Sequence, residues 1–162
     1  TEPLLYLTAL WRAWDGRAAN GRFLVPGAEF ALGQAPLRSP SVFNFYRPDF
    51  APPGDMRARG LVAPELEITN EYTSATTANV IAFATFGSLE ANPPATQVRL
   101  DLARDAALAG EPDRLVSAVA DRLLGGAISA ELRAAAVGMV ERIPASVPNA
   151  RVAEAIHTIT LS

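Results

Sequence analysis

Apolar residues recur at helical spacing at the start of the chain. They follow one another at intervals of three or four residues, which places them on one face of a helix: Leu4, Leu7, Trp11 and Trp14. Gly16 comes after this run, and glycine is frequent just beyond the end of a helix. The pattern predicts a short helix within residues 1–15.

Residues 16–69 are interrupted too often for a long helix or strand. Prolines stand at seven positions and glycines at six in this segment, and each proline removes a backbone donor and restricts the residue before it. We therefore predict an irregular arm, in which only a short helix around residues 26–33 and a turn around 64–67 survive. An irregular segment of this length in a compact domain is often functional.

Helical patterns return from residue 70 to the end of the chain. Asn70 is a typical N-cap, and the pattern after it predicts a helix to about Phe86. Shorter helices are predicted over residues 98–109, 112–124, 130–143 and 150–161. Their ends and starts are marked by Gly110, Pro112, Gly125, Gly126, Ser129, Pro144 and Asn149. The sequence predicts one all-α domain, a helical bundle of about five to six helices over residues 70–162 with a long Pro/Gly-rich irregular arm.

The composition narrows the class of protein. Of the 162 residues, 49% are hydrophobic and only 19% are charged, which suits a folded domain and not a disordered chain. The basic residues are all arginine and the net charge is −3, so we expect no nucleic-acid partner. No apolar run approaches the roughly 20 residues of a transmembrane helix, and we expect no membrane span.

Two residue types limit the chemistry that this chain can hold. It has no cysteine, which excludes disulfides, cysteine-bound metals and thiol nucleophiles. His157 is the only histidine, so a multi-histidine metal site is excluded and a serine triad would have to use this residue. We predict no catalytic residue, no metal and no cofactor. Asp101 and Asp105 lie one helical turn apart, and we expect them on a solvated helix face.

The densest chemical signal lies in the arm. Four aromatic residues stand within eight positions there: Phe43, Phe45, Tyr46 and Phe50. In one interpretation the aromatic rings pin the arm by burial, Asn44 satisfies irregular backbone, and Arg47 pairs with Glu65 or Glu71. In the other, aromatic walls and polar groups line a groove for a ligand such as a sugar. Both interpretations rest on the same candidates: Asn44, Phe45, Tyr46, Arg47, Glu65, Asn70 and Glu71.

Several motifs resemble those of a known family. They are Gly33-Gln-Ala-Pro36, Ser41-Val-Phe-Asn-Phe-Tyr-Arg-Pro48, Gly60-Leu-Val-Ala-Pro-Glu65 and Thr69-Asn-Glu71, with the segments at residues 2–5 and 155–162. The chain resembles the C-terminal part of the bacterial domain-of-unknown-function family numbered 1800. The resemblance implies a parent protein longer than this chain and commonly exported, and it brings no established activity.

These observations together favour a non-catalytic function. We expect the C-terminal helical region of an exported, extracytoplasmic bacterial protein, acting as a scaffold or interaction module. The chain begins with Thr1 and enters a helical pattern almost at once, so we expect a fragment whose partner is the N-terminal region of the same protein. A further protein or a polysaccharide is another expected partner. The alternative is part of an extracytoplasmic carbohydrate-binding or hydrolytic enzyme with a groove of aromatic, arginine and glutamate side chains.

Overall fold

The computed structural model describes residues 2–42 and 44–161, so Phe43 of the aromatic cluster lies outside the described residues. In the described part, every regular element is helical. The α-helices are α1 (Pro3–Ala13), α2 (Ala28–Ala31), α3 (Asp55–Ala58), α4 (Glu71–Phe86), α5 (Ala103–Ala106), α6 (Pro112–Leu124), α7 (Ala130–Glu141) and α8 (Pro148–Thr160), with 3₁₀ turns at Pro64–Ile68 and Gly87–Leu89. The predicted all-α fold is confirmed.

The local signals at helix ends mark real boundaries in most cases. Asn70 caps α4, because its side-chain oxygen accepts from the Thr73 N–H at 2.9 Å while the Thr73 hydroxyl accepts from the Asn70 N–H. Ser129 caps α7 by accepting from the Leu132 N–H. Gly125 ends α6 in the left-handed conformation, at φ 60°.

The predicted Asn149 cap is wrong. Helix α8 begins at Pro148, and Val147 is the residue before it, with no side-chain cap. Proline suits this first position because its φ is already helical and its missing N–H would have had no partner within the helix. The Val147 carbonyl accepts from the Ala150 and Arg151 N–H groups, so the first turn closes without Asn149.

The predicted helix over residues 98–109 is also wrong in its first half. Only α5 is helical there, because the preceding amides bond to other segments of the chain. Arg99 exchanges backbone hydrogen bonds with Arg17, and the Asp101 N–H donates to the Trp14 carbonyl at 2.7 Å. The Leu100 N–H donates to the Ser88 hydroxyl. These tertiary bonds replace the intrahelical ones.

The chain divides into two compact units. The first contains Thr1–Thr8 and Val25–Val80, and the second contains Ala9–Leu24 and Ile81–Ser162. Helices α1 and α4 each contribute residues to both units. That the whole chain forms one domain stays a prediction.

The second unit is a helical bundle in which α6, α7 and α8 contact one another and α5 contacts α6 and α8. Its helices bury apolar side chains that have almost no exposed surface: Leu115, Val116, Val119, Val140, Val152, Ile156 and Ile159. Burial of a side chain of this kind stabilises a fold by about 1.5–3 kcal/mol.

Arg151 is a buried cation within this bundle. Its Nε donates to the Ile143 carbonyl and its Nη1 to the Ala109 carbonyl, both at 2.7 Å. Because these carbonyls belong to segments that follow α7 and α5, the arginine ties the start of α8 to both. None of the described helices is both long and apolar enough to cross a membrane.

In the first unit the arm is anchored by short-range turns and by α4. Leu32 and Ala35 are buried. The Thr76 hydroxyl on α4 donates to the Ala31 carbonyl at 2.7 Å, which holds the end of α2. Gly33 has a positive φ, and a Cβ on it would lie 3.4 Å from Ile68. The turn after α2 therefore needs glycine for its conformation.

Candidate functional site

Arg47 is held by a carboxylate, but by a different one from those predicted. Its backbone N–H and its Nε donate to the two carboxylate oxygens of Glu67, at 2.6 and 2.8 Å. The pairing with Glu65 or Glu71 is therefore wrong. In the 3₁₀ turn Pro64–Ile68, side chains three apart share a face, so Glu65 and Glu67 point in different directions.

The Arg47–Glu67 pair is open to solvent. The Arg47 side chain is 64% exposed and the Glu67 side chain 26%. The hydrogen bond from the Arg47 backbone N–H lowers the pKa of the Glu67 carboxyl below its ordinary value, and the Arg47 guanidinium lowers it by a smaller amount. The pair holds the arm at residue 47, but it is a solvent-exposed ion pair and not a buried one.

Tyr46 belongs to a second polar chain, which sequence reasoning missed. Its hydroxyl donates to Glu2 Oε1, and Gln34 Nε2 donates to Glu2 Oε2 at 3.2 Å. Gln34, which is only 1% exposed, also accepts from the Leu4 N–H. That N–H lies in the first turn of α1, where backbone donors lack helical partners. Gln34 therefore caps α1 from the arm.

The Tyr46 phenol has a perturbed pKa. Burial and the bonded Glu2 carboxylate raise the pKa of Tyr46 to about 12. The Glu65 carboxylate raises the pKa of Tyr46 in the same direction, to a smaller extent. The pKa of Glu65 itself is lowered, chiefly by its own backbone N–H.

The remaining candidates have separate places in the arm. Asn44 is exposed and has a φ of 72°, a left-handed conformation that asparagine tolerates. Phe45 is half-buried. Asn70 serves as the cap of α4, and Glu71 is exposed in its first turn. The bonded partners of Tyr46, Arg47 and Asn70 are therefore Glu2, Glu67 and Thr73, none of which was among the candidates.

A buried polar cluster in the second unit was not predicted. Asp105, expected on a solvated face, has a side chain that is only 2% exposed. Its Oδ2 accepts from Trp14 Nε1 at 2.7 Å and from Arg122 Nη1 at 2.8 Å, and its Oδ1 accepts from Arg122 Nη2 at 3.0 Å. The Arg122 guanidinium also lies over the Trp14 ring, 4.8 Å from its centroid.

These three residues form a structural lock beside an open cleft of about 510 Å³. The cleft is lined by Arg104, Asp105, Leu108, Ala118, Asp121 and Arg122. Asp105 accepts three hydrogen bonds within the chain, which leaves its carboxylate little capacity to accept a proton from a ligand. The only sequence signal for the lock was the position of Trp14 on an apolar helix face. This position predicts that the ring is buried, but it does not predict which residue accepts from the indole N–H.

The described residues hold no group of three or more His, Cys, Asp or Glu side chains arranged to bind a metal ion. His157 packs edge-on against Phe86, with ring centroids 5.2 Å apart. This contact places the histidine in a packing position on α8.

The model of the family described as "Protein of unknown function (DUF1800)" matches residues 1–162. The chain belongs to the DUF1800 family. Comparison with curated proteins and with solved structures gives no match. The family membership confirms the resemblance read from the arm motifs and leaves the activity of the chain to be argued from its residues.

Proposed function

We propose that this DUF1800 chain is a non-catalytic scaffold that presents the arm of its first unit to a protein partner. The observation that carries the proposal is the backbone conformation and exposure of Leu37. This residue has a φ of 60°, and its side chain is fully exposed. The left-handed conformation costs about 1–2 kcal/mol for an L-residue with a Cβ. Leucine gains no burial within this chain to offset that cost.

The local geometry makes leucine an unexpected choice at this position. Pro36 precedes it, and the Arg38 N–H donates to the Ala35 carbonyl at 3.2 Å, which closes a four-residue turn. Turns with proline second and a positive φ third usually have glycine or asparagine at the third place. A large apolar side chain held outward there is suited to contact another molecule.

The polar candidates support a structural role for the arm itself. Both Glu2 oxygens are taken by Tyr46 and Gln34, and Arg47 is engaged by Glu67. Groups already bonded within the chain have less capacity to orient a substrate. The same unit exposes further apolar side chains that are available to a partner: Phe30, Val42, Leu61 and Val62.

The proposed partner is another region of the same family protein, outside the cytoplasm. Family resemblance supports a longer parent and an exported location. Antibody against the chain and fractionation of its source cells test the location, and signal in the cytoplasmic fraction alone would contradict it.

Photo-crosslinking tests the contact itself. A photoreactive phenylalanine analogue replaces Leu37 in the protein expressed in its own cells, and a matched variant carries it at Arg59, which is also exposed. We expect an adduct from position 37 to another segment of the family protein and none from position 59. Equal labelling at both positions, or none at 37, would refute the proposal.

Stability provides an independent check. Leu37→Gly should raise the free energy of unfolding by up to about 1 kcal/mol, because glycine accepts positive φ although its unfolded state is more flexible. Urea unfolding measures this. A destabilised variant would mean that Leu37 serves the fold of this chain and not a partner.

The alternative function, carbohydrate binding, has one observation in its favour: Tyr46 is hydrogen-bonded to the Glu2 carboxylate, and the Glu65 carboxylate also raises its pKa. Titration with neutral oligosaccharides, followed by the NMR signals of Phe45 and Tyr46, tests it. Saturable shifts that Tyr46→Phe weakens would favour the sugar-binding alternative over the scaffold.

A further inference from the structure

An exposed turn of the second unit holds a reactive pair, Asn20 and Gly21. Both residues are exposed, as is Arg22 after them. The Asn20 side-chain oxygen accepts from the Arg22 N–H at 3.0 Å. Gly21 has a φ of 69°, and a Cβ on it would meet no atom within 4 Å. The side-chain amide thus folds back over the following backbone with no side chain in the way.

We infer that Asn20 is a site of self-catalysed deamidation. The Gly21 amide nitrogen attacks Cγ of Asn20 and loses its proton to solvent. The new N–C bond forms, the Cγ–Nδ2 bond breaks, and Nδ2 leaves as ammonia after taking up a proton. Water then opens the resulting succinimide at either carbonyl, giving aspartate or isoaspartate. No oxidant or cofactor is required, and water is the only co-reactant.

The Arg22 N–H is placed to assist the slow step. Attack on Cγ moves negative charge onto Oδ1, the atom to which this N–H already donates. Donors aimed at a developing oxyanion change rates by roughly 10²–10³ in preorganised enzyme sites. The Gly21 N–H donates to the Ala18 carbonyl at 2.9 Å, and this bond must open before attack.

The other asparagines provide internal controls. They are followed by a bulkier residue, or by proline, which has no N–H to attack with: Asn44-Phe45, Asn70-Glu71, Asn79-Val80, Asn92-Pro93 and Asn149-Ala150. The side-chain oxygen of Asn70 accepts a hydrogen bond from the Thr73 N–H, as the cap of α4. Only Asn20 combines a following glycine with a donor on its side-chain oxygen among the described residues.

The product would alter a backbone connection of the second unit. The Asn20 N–H donates to the Ala95 carbonyl at 3.2 Å, and the Arg17 and Arg99 backbones exchange hydrogen bonds nearby. Isoaspartate inserts an extra carbon into the main chain immediately after this link, and either product adds one negative charge. We expect the connection to loosen as the modification accumulates.

The test follows deamidation of the whole folded chain in mildly alkaline buffer by peptide mass spectrometry. We expect Asn20 to react roughly tenfold or more faster than each of the other asparagines, since the oxyanion donor and the open glycine act together. Labelling by an isoaspartate-specific methyltransferase should map to the same peptide. A rate at Asn20 no greater than that at Asn149 would overturn the inference.

Two variants separate the contribution of the fold from that of the Asn-Gly sequence. Gly21→Ala should slow the reaction, because it adds a Cβ and disfavours the positive φ. Arg22→Pro keeps Asn-Gly but removes the donor, so it should slow the reaction in the folded chain and much less in urea. Circular dichroism confirms that each variant is folded. An unchanged rate in folded Arg22→Pro would refute the role of the donor.

Discussion

Replacement of Asp105 by asparagine tests the lock of the second unit. Asp105→Asn keeps the size of the side chain and an acceptor for Trp14, but it removes the charge that faces Arg122. The carboxylate is 2% exposed and accepts both guanidinium bonds, at 2.8 and 3.0 Å. The variant therefore leaves a largely buried cation without its counter-charge.

The expected loss follows from this burial. Exposed ion pairs contribute about 0–1 kcal/mol, whereas removal of one partner from a buried pair costs about 3–5 kcal/mol. Arg122 retains 19% exposure, a bond to the Ala13 carbonyl and the Trp14 ring. These contacts offset part of the cost, so we expect a loss of about 3 kcal/mol for Asp105→Asn.

Urea unfolding followed by far-UV circular dichroism measures the loss. Asp121→Asn is the matched control, since Asp121 lines the same cleft but is exposed, and it should change stability by less than about 0.5 kcal/mol. The double variant Asp105→Asn with Arg122→Met should recover part of the loss, because no buried charge is then left alone. A loss below about 1 kcal/mol for Asp105→Asn, or additive single effects, would refute this reasoning.

Three further predictions concern stability. Arg151→Met should cost about 2–3 kcal/mol in urea unfolding, because two charge-assisted bonds to carbonyls at 2.7 Å are lost; a change within about 0.5 kcal/mol would contradict this. Gly87→Ala should lower the melting temperature, because its Cβ would clash with the buried Gln97 Nε2. Gly138→Ala has free space in α7 and should raise the melting temperature, so equal shifts of the two variants would count against the packing argument. Because the folded pKa of Tyr46 is raised from 10.0 to about 12, its protonated form contributes stability that is fully present below pH 10 and lost as pH rises toward 12. Tyr46→Phe should remove that pH dependence in alkaline melts, and an unchanged profile would argue against the Glu2 contact.

The partners of the candidate site could not be predicted, although most of its members could. Tyr46 and Arg47 were recognised as the polar groups of the arm, but their partners are Glu2 and Glu67. Glu2 lies 44 positions away from Tyr46 along the chain. No periodic pattern encodes such a pairing, since it depends on how the turns of the arm direct the chain. The Glu65 and Glu67 side chains leave the same 3₁₀ turn in different directions, and the sequence does not show which of them faces Arg47.

Sequence alone determined the features that act over a few residues. Ser129 caps α7 and Gly125 ends α6, because side-chain acceptors and positive φ act on the nearest turn of backbone. Tertiary structure decided whatever joins distant segments. Residues 98–102 have a helical sequence pattern but are not helical, because Arg99 and Asp101 form backbone hydrogen bonds with Arg17 and Trp14 instead. Tertiary structure also buried Asp105, since Trp14 and Arg122 supply donors strong enough to offset the loss of water. A local signal thus predicts where a helix ends, whereas the burial of a charge is decided by the partners that the fold provides.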